Sequence, residues 1–205
     1  MKKNVLLLGA TGTAGSAVRQ KLLKKTDSFI TLVSRHASTL TPTPDREQIE
    51  ELDVHDVVTL AKVIKGQDII FSALSAENSD NELADLATNI VTVMDQQNVH
   101  RLIFMVAMGI YNEIPQSVGP QDNVDNNPMQ IHNLKAAQVV EKSDLDYTLL
   151  RPGFLVSGSD EVVITHKGEL VSGNTTSTAS VGEVVGKLVT NENLGIHESL
   201  GLNQP

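Results

Sequence analysis

Apolar positions in this chain switch between two periods. Val5 to Leu8 form an unbroken apolar run, as in a strand buried on both faces of a parallel sheet. Ala14, Val18 and Leu22 then recur every four residues, which makes one face of a helix apolar, and Lys21, Lys24 and Lys25 gather at its end, where cations suit the dipole. Phe29 to Val33 reads as a second strand, and Ile49 to Leu52 as a short third after a loop rich in proline and threonine, Thr41 to Pro44. Val57, Leu60, Ala61 and Ile64 fall at helical spacing, Asp68 to Leu74 is a fourth strand, and Leu83, Leu86, Ala87, Ile90 and Met94 mark the longest amphipathic helix, closed by Asn98. Arg101 to Ala107 gives a fifth strand, Met129 to Lys142 a helix, Tyr147 to Leu150 a sixth strand and Val162 to Thr165 a seventh. Val181 to Thr190 is a further helix, and the tail is a last short strand. Between Asn112 and Asn127 the chain is polar and broken by Pro115, Gly119 and Pro120, a loop long enough to be a candidate substrate lid. The alternation predicts an α/β fold: a doubly wound, mostly parallel sheet with helices on both faces. One domain over residues 1–205 suffices, with the portion from about 151 forming a substrate pocket.

The turn between the first strand and first helix carries Gly9, Gly12 and Gly15 at a spacing of three. Glycines there let the backbone bend sharply and approach a pyrophosphate, which sits against unpaired N–H groups at the helix N-terminus, while Gly15 lets the helix pack closely on the strand. The spacing is G-x-x-G-x-x-G, and a glycine-rich turn without a ligand is the alternative; the setting between a buried strand and an amphipathic helix favours the phosphate site. In such folds a carboxylate ending the second strand reads the adenosine ribose of NAD. Here Ser34 and Arg35 stand at that place. A guanidinium can pair with a 2′-phosphate that a carboxylate would repel, which predicts NADP(H) in preference to NAD(H); Arg35 as a solvated strand-end residue is the alternative. Asp53, just after the third strand, is either the partner of the adenine amino group or a surface turn residue.

With 25 acidic against 16 basic residues the net charge is −9, and no basic cluster offsets it, so nucleic acid and anionic membranes are not expected as partners. The absence of cysteine removes disulfides, thiolate metal sites and thiol catalysis, and suits a cytoplasmic protein. Lys2 and Lys3 precede an apolar run too short for a signal peptide, and no stretch approaches a membrane span. The six histidines are scattered singly without ligand spacing, so no metal is expected. There is no G-x-S-x-G elbow for a hydrolase, and Glu47, Glu50, Glu51, Asp53 and Asp56 read as a solvated face.

Gly9-Ala-Thr-Gly-Thr-Ala-Gly15, Val33-Ser-Arg35, Asp53-Val54, Phe71-Ser-Ala-Leu74 and Tyr147-Thr-Leu-Leu-Arg-Pro-Gly153 together resemble the atypical short-chain dehydrogenase/reductases, in particular the NAD(P)H-binding, NmrA-like group that includes biliverdin reductase B. The resemblance covers nearly the whole chain and implies a Rossmann fold. It also implies that Gly9, Thr11, Gly12, Thr13 and Ala14 line the pyrophosphate, Asp53 and Val54 the adenine, and Ala73 with Leu74 the ribose linkage. The nicotinamide would lie near Ala107, Lys135, Pro152, Gly153 and Phe154, and Thr178 to Val185 would fold a helix back over the pocket. The family's proton relay is a serine after the fifth strand, a tyrosine, and a lysine four residues on. Lys135 is present, but Ile131 stands at the tyrosine position and Ala107 at the serine position. His132, one residue on, is turned about 100° from Ile131 and is expected to aim away; Tyr111 either swings in from its loop or anchors that loop. Lys135 alone still suits the nicotinamide ribose hydroxyls. Two functions follow: an NADPH-dependent reductase passing hydride to a small acceptor such as a flavin or quinone, or a non-catalytic NADP-sensing regulator read by a protein partner. A sugar-nucleotide epimerase fits less well, because the chain is short for its substrate domain.

Overall fold

The computed structural model describes residues 2–75, 81–191 and 193–205. Its sheet is built around β1 (Asn4–Leu8), flanked by β2 (Phe29–Ser34) and β4 (Ile69–Ser72), with β3 (Glu47–Glu51) outside β2. Beyond β4 come β5 (Arg101–Met105), β6 (Asp146–Pro152) and β10 (Glu198–Asn203), all parallel, and β8 (Val163–Thr165) closes the edge antiparallel to β10. The first six strands thus lie in the order 3-2-1-4-5-6, a Rossmann arrangement.

Each β1 residue is sorted by the pleat. Leu6 and Leu8 meet the face covered by α2 (Val57–Ile64), α3 (Glu82–Gln97) and α4 (Gln130–Glu141). Val5 and Leu7 meet α1 (Thr13–Lys25) and α5 (Thr178–Thr190), which pack on each other through Gly182, where an added Cβ would lie 3.1 Å from the Ala17 carbonyl. Each face therefore has its own apolar core. Asp56 caps α2 by accepting from the Val58 and Thr59 amides at 3.1 Å, and Asn98 closes α3 in the left-handed conformation at φ 54°. Among the described residues no helix is long and apolar enough to cross a membrane.

Several elements differ from the expectations. β3 begins at Glu47, whose carboxylate is buried because Arg19 grips it through Nε at 2.7 Å and Nη2 at 2.8 Å, so it is no solvated-face residue. β4 and β5 end at Ser72 and Met105, ahead of the loops that open the cleft. α5 begins at Thr178, three residues earlier than its apolar pattern, because the Ser177 hydroxyl accepts from the Ser180 amide at 2.9 Å. A second, two-stranded sheet of β7 (Phe154–Val156) and β9 (Thr175–Ser177) was not expected at all. The supposed lid is a packed plug. Asn123 and Ile114 exchange two hydrogen bonds of 2.9 and 3.0 Å, and buried Glu113 accepts from the Gly109 and Tyr111 amides while pairing with fully buried Arg151 of β6. The Ser199 hydroxyl accepts from Arg151 Nε at 3.0 Å, so charge and hydrogen bonds are satisfied together.

Candidate functional site

Between β1 and β4 the chain's connections leave in opposite directions, which opens a crevice at the carboxyl ends of the strands. Two cavities meet there and share Gly12, Ala73, Leu74 and Ser75 as common wall. The smaller, about 220 Å³, runs from Gly9 and Thr11 along the end of β2, past Ser34 and Arg35, to Asp53 and Val54. The larger, about 740 Å³, runs from Thr13 and Ala14 over Ala107, Pro152 and Gly153 to α4.

The glycine turn is shaped by backbone contact. Gly9 adopts φ +83°, and a Cβ there would lie 2.8 Å from the Ala73 carbonyl oxygen, so the turn is pressed against the end of β4. A Cβ on Gly15 would fall 2.1 Å from the Gly9 carbonyl oxygen, which makes Gly15 a packing residue beneath the cleft and not part of its lining. Gly12, the residue before α1, offers no side-chain cap, and the first turn of α1 carries no acidic residue. The positive end of the helix therefore faces the junction of the two cavities with no acidic residue in its own first turn, an arrangement that fits a pyrophosphate.

At the far end of the smaller cavity, the Ser34 hydroxyl accepts from the His36 amide at 3.1 Å, and Arg35 is exposed on the rim. The Asp53 carboxylate accepts from the His55 amide at 2.9 Å and contacts its ring Nδ1 at 2.8 Å. Those bonds, with Arg35 nearby, hold the Asp53 carboxyl below its ordinary range. Val54 is buried beneath it.

Three sequence-predicted residues lie elsewhere. Tyr111 does not line the cleft: its hydroxyl donates to Glu141 at 2.7 Å, and its ring is flanked by Arg151 and Lys167. Burial and that carboxylate raise its phenol well above the ordinary range, so it is held as the neutral phenol. Lys135 is exposed and donates to Asn81 at 2.8 Å, outside both cavities. Phe154 is 58% exposed, and its neighbour Leu155 lines the larger cavity instead. α4 supplies His132 and Asn133, and Met129 just before it also lines the larger cavity; the expected direction of His132 is reversed. Ala136, Ala137 and Val140 bury the helix on its sheet side, and residues three and four positions earlier fall on that side. Ile131, 37% exposed, and Lys135 face outward. The apolar triplet at 136, 137 and 140 carries that register in the sequence itself.

The sequence profile of the NAD(P)H-binding family matches residues 9–192. Among solved structures, a Rossmann-fold NAD(P)-binding family protein from Shigella flexneri is 29% identical with a TM-score of 0.81, covering 100% of this chain and 95% of that one. A short-chain dehydrogenase/reductase from Veillonella parvula in complex with NADP is 22% identical at a TM-score of 0.87, covering 100% and 96%. An anaerobillin reductase from Escherichia coli O157:H7 is 19% identical at a TM-score of 0.79, covering 98% and 97%. No protein of curated function matches the sequence.

Proposed function

The chain belongs to the NAD(P)H-binding family, and from that premise we propose that it is an NADP(H)-dependent oxidoreductase passing hydride to a small conjugated acceptor such as a flavin or quinone. The observation that carries this is the continuity of the cleft: a guanidinium at one end, a helix N-terminus at the middle and a roomy chamber at the other. Gly12 and the first turn of α1 would bind the pyrophosphate, and Arg35 with the Ser34 hydroxyl the 2′-phosphate. Ala73 and Leu74 would flank the ribose linkage, and Ala107, Pro152 and Gly153 the nicotinamide. A bound dihydronicotinamide supplies the hydride. Leu74, Leu83, Met105, Val106 and Leu155 make the chamber walls largely apolar, which suits a flat conjugated acceptor. The Veillonella protein's complex with NADP supports the cofactor choice.

A non-catalytic NADP-sensing role is the second reading, favoured by Ile131 and Ala107 at the relay positions and by the engagement of Tyr111 with Glu141. Anaerobic oxidation of NADPH against a panel of flavins and quinones separates the two. Saturable turnover with at least one acceptor is the expected outcome; NADPH binding with silence across the panel would favour the sensor.

A further inference from the structure

The larger chamber presents one titratable side chain among the described residues that line it, and that side chain is His132. Thr13, Ser75 and Asn133 are the other polar side chains on its walls, and none of these types exchanges a proton near neutral pH. We propose that His132 is the proton donor of this cleft, serving the acceptor in place of the tyrosine that position 131 lacks. The proposal rests on the hydride-transfer function above.

The geometry comes from α4. Ala136, Ala137 and Val140 fix the rotation of the helix against the sheet, so the turn before them carries the imidazole into the chamber on a rigid support. Ala107 and Gly153 line the same chamber and, being small, leave room in it for an acceptor. His132 is half-buried, so it can recover a proton from water after each turnover. Charged groups on the described residues near this end come from α4 and α3. Lys135 stands one turn along the same helix, bonded to Asn81, and the first turn of α3, which packs on α4, brings Glu82 and Asp85. Among the described residues, the ends of β4, β5 and β6 bring uncharged residues to the chamber walls: Ala73, Leu74 and Ser75, then Met105, Val106 and Ala107, then Pro152 and Gly153. Histidine is the residue type whose proton exchange falls at physiological pH, which is what delivery to a reduced acceptor requires.

In the step, the carbonyl carbon of the acceptor gains a hydride from the reduced cofactor, and its C=O π pair moves to oxygen. The His132 N–H bond breaks, its proton bonds to that oxygen and its electron pair stays on the ring. The acceptor is reduced, the cofactor is oxidised, and the proton is replaced from water.

Two acceptors test this in the full chain. Reduction of 9,10-phenanthrenequinone needs a proton on oxygen, whereas FMN can take hydride at N5 and leave as the anionic reduced flavin. In His132→Gln, NADPH-dependent reduction of the quinone should fall about 10²-fold and lose any alkaline decline of kcat/KM measured for the wild type, while FMN reduction should be affected far less. NADP⁺ affinity, measured by calorimetry, should be retained and serves as the check on folding. Independently of turnover, the imidazole resonances of His132, assigned by their loss in His132→Gln, should shift when NADP⁺ is added. Unperturbed resonances, or equal quinone reduction and an unchanged pH profile in the variant, would overturn the assignment and leave the hydride-transfer function standing. Failure of the wild type to reduce either acceptor would overturn that function and the assignment with it.

Discussion

In the proposed function, cofactor choice turns on Arg35. It stands on the rim of the smaller cavity with Asp53 close enough to feel its charge, and no carboxylate ends β2. Arg35→Ala should remove most of a preference for NADPH over NADH of about 1.5–3 kcal/mol, read by calorimetry with both cofactors. Equal affinities in the wild type would remove the ground for assigning NADP(H). Glu47 illustrates the opposite use of charge, for folding. Burial alone would raise its carboxyl, but hydrogen bonds from Arg19 and Thr43 outweigh burial, and it lies below the ordinary value of 4.5. A depressed folded value means that the pair stabilises the protein above pH 4.5 and that the contribution disappears as pH falls through the depressed value. Glu47→Gln should therefore be less stable than the wild type to urea at pH 7, with the gap closing on acidification below about pH 4; a gap independent of pH would show that packing, not charge, is responsible.

At the scale of elements, Gly153 joins the main sheet to the cleft wall. A Cβ there would lie 2.4 Å from the Asn174 carbonyl oxygen, so β7 and β9 can pair only because this position has no side chain. Gly153→Ala should destabilise the fold by about 1–3 kcal/mol through overpacking, measured by urea denaturation, and an unchanged midpoint would show that the strands separate freely. The same pair marks where sequence legibility ended. β1, β2, β4 and β5 are continuous or nearly continuous apolar runs because helices cover both faces, and that pattern is visible without any structure. β7 and β9 are three residues each, one largely exposed and the other of threonines and serine, and their pairing depends on a close backbone approach that no periodicity records. The glycine turn, Ser34, Arg35, Ala107 and Pro152 were legible because they sit at strand ends, where topology alone sends them to the crevice. The α4 residues were not, since aligning the helix on Lys135 as a relay lysine turned Ile131 inward, whereas the burial of Ala136, Ala137 and Val140 turns His132 inward. The loop from Asn112 to Asn127 reads as a candidate lid because it is long and polar, yet the polar groups of Glu113 and Asn123 are engaged with buried partners.

Across the whole molecule, a net charge of −9 opposes the approach of an anionic cofactor, so binding must come from local features: the uncapped start of α1, Arg35, and close backbone approach at the glycine turn. The first and third meet at the switch point of the sheet, where Gly12 lines both cavities, and Arg35 stands at the far end of the smaller one. Gly12 has φ −75° and a Cβ added to it would lie 3.3 Å from the Gly9 carbonyl oxygen, so a larger residue is tight but compatible with the turn. Its side chain would instead occupy the space the pyrophosphate needs. Titration calorimetry of NADPH into the wild type and Gly12→Val tests this most directly. Saturable one-to-one binding by the wild type, weakened at least about tenfold in the variant (~1.4 kcal/mol) while its thermal midpoint stays close to that of the wild type, is the predicted result. Absence of binding in the wild type, or undiminished affinity in Gly12→Val, would contradict the assignment of this cleft to the cofactor.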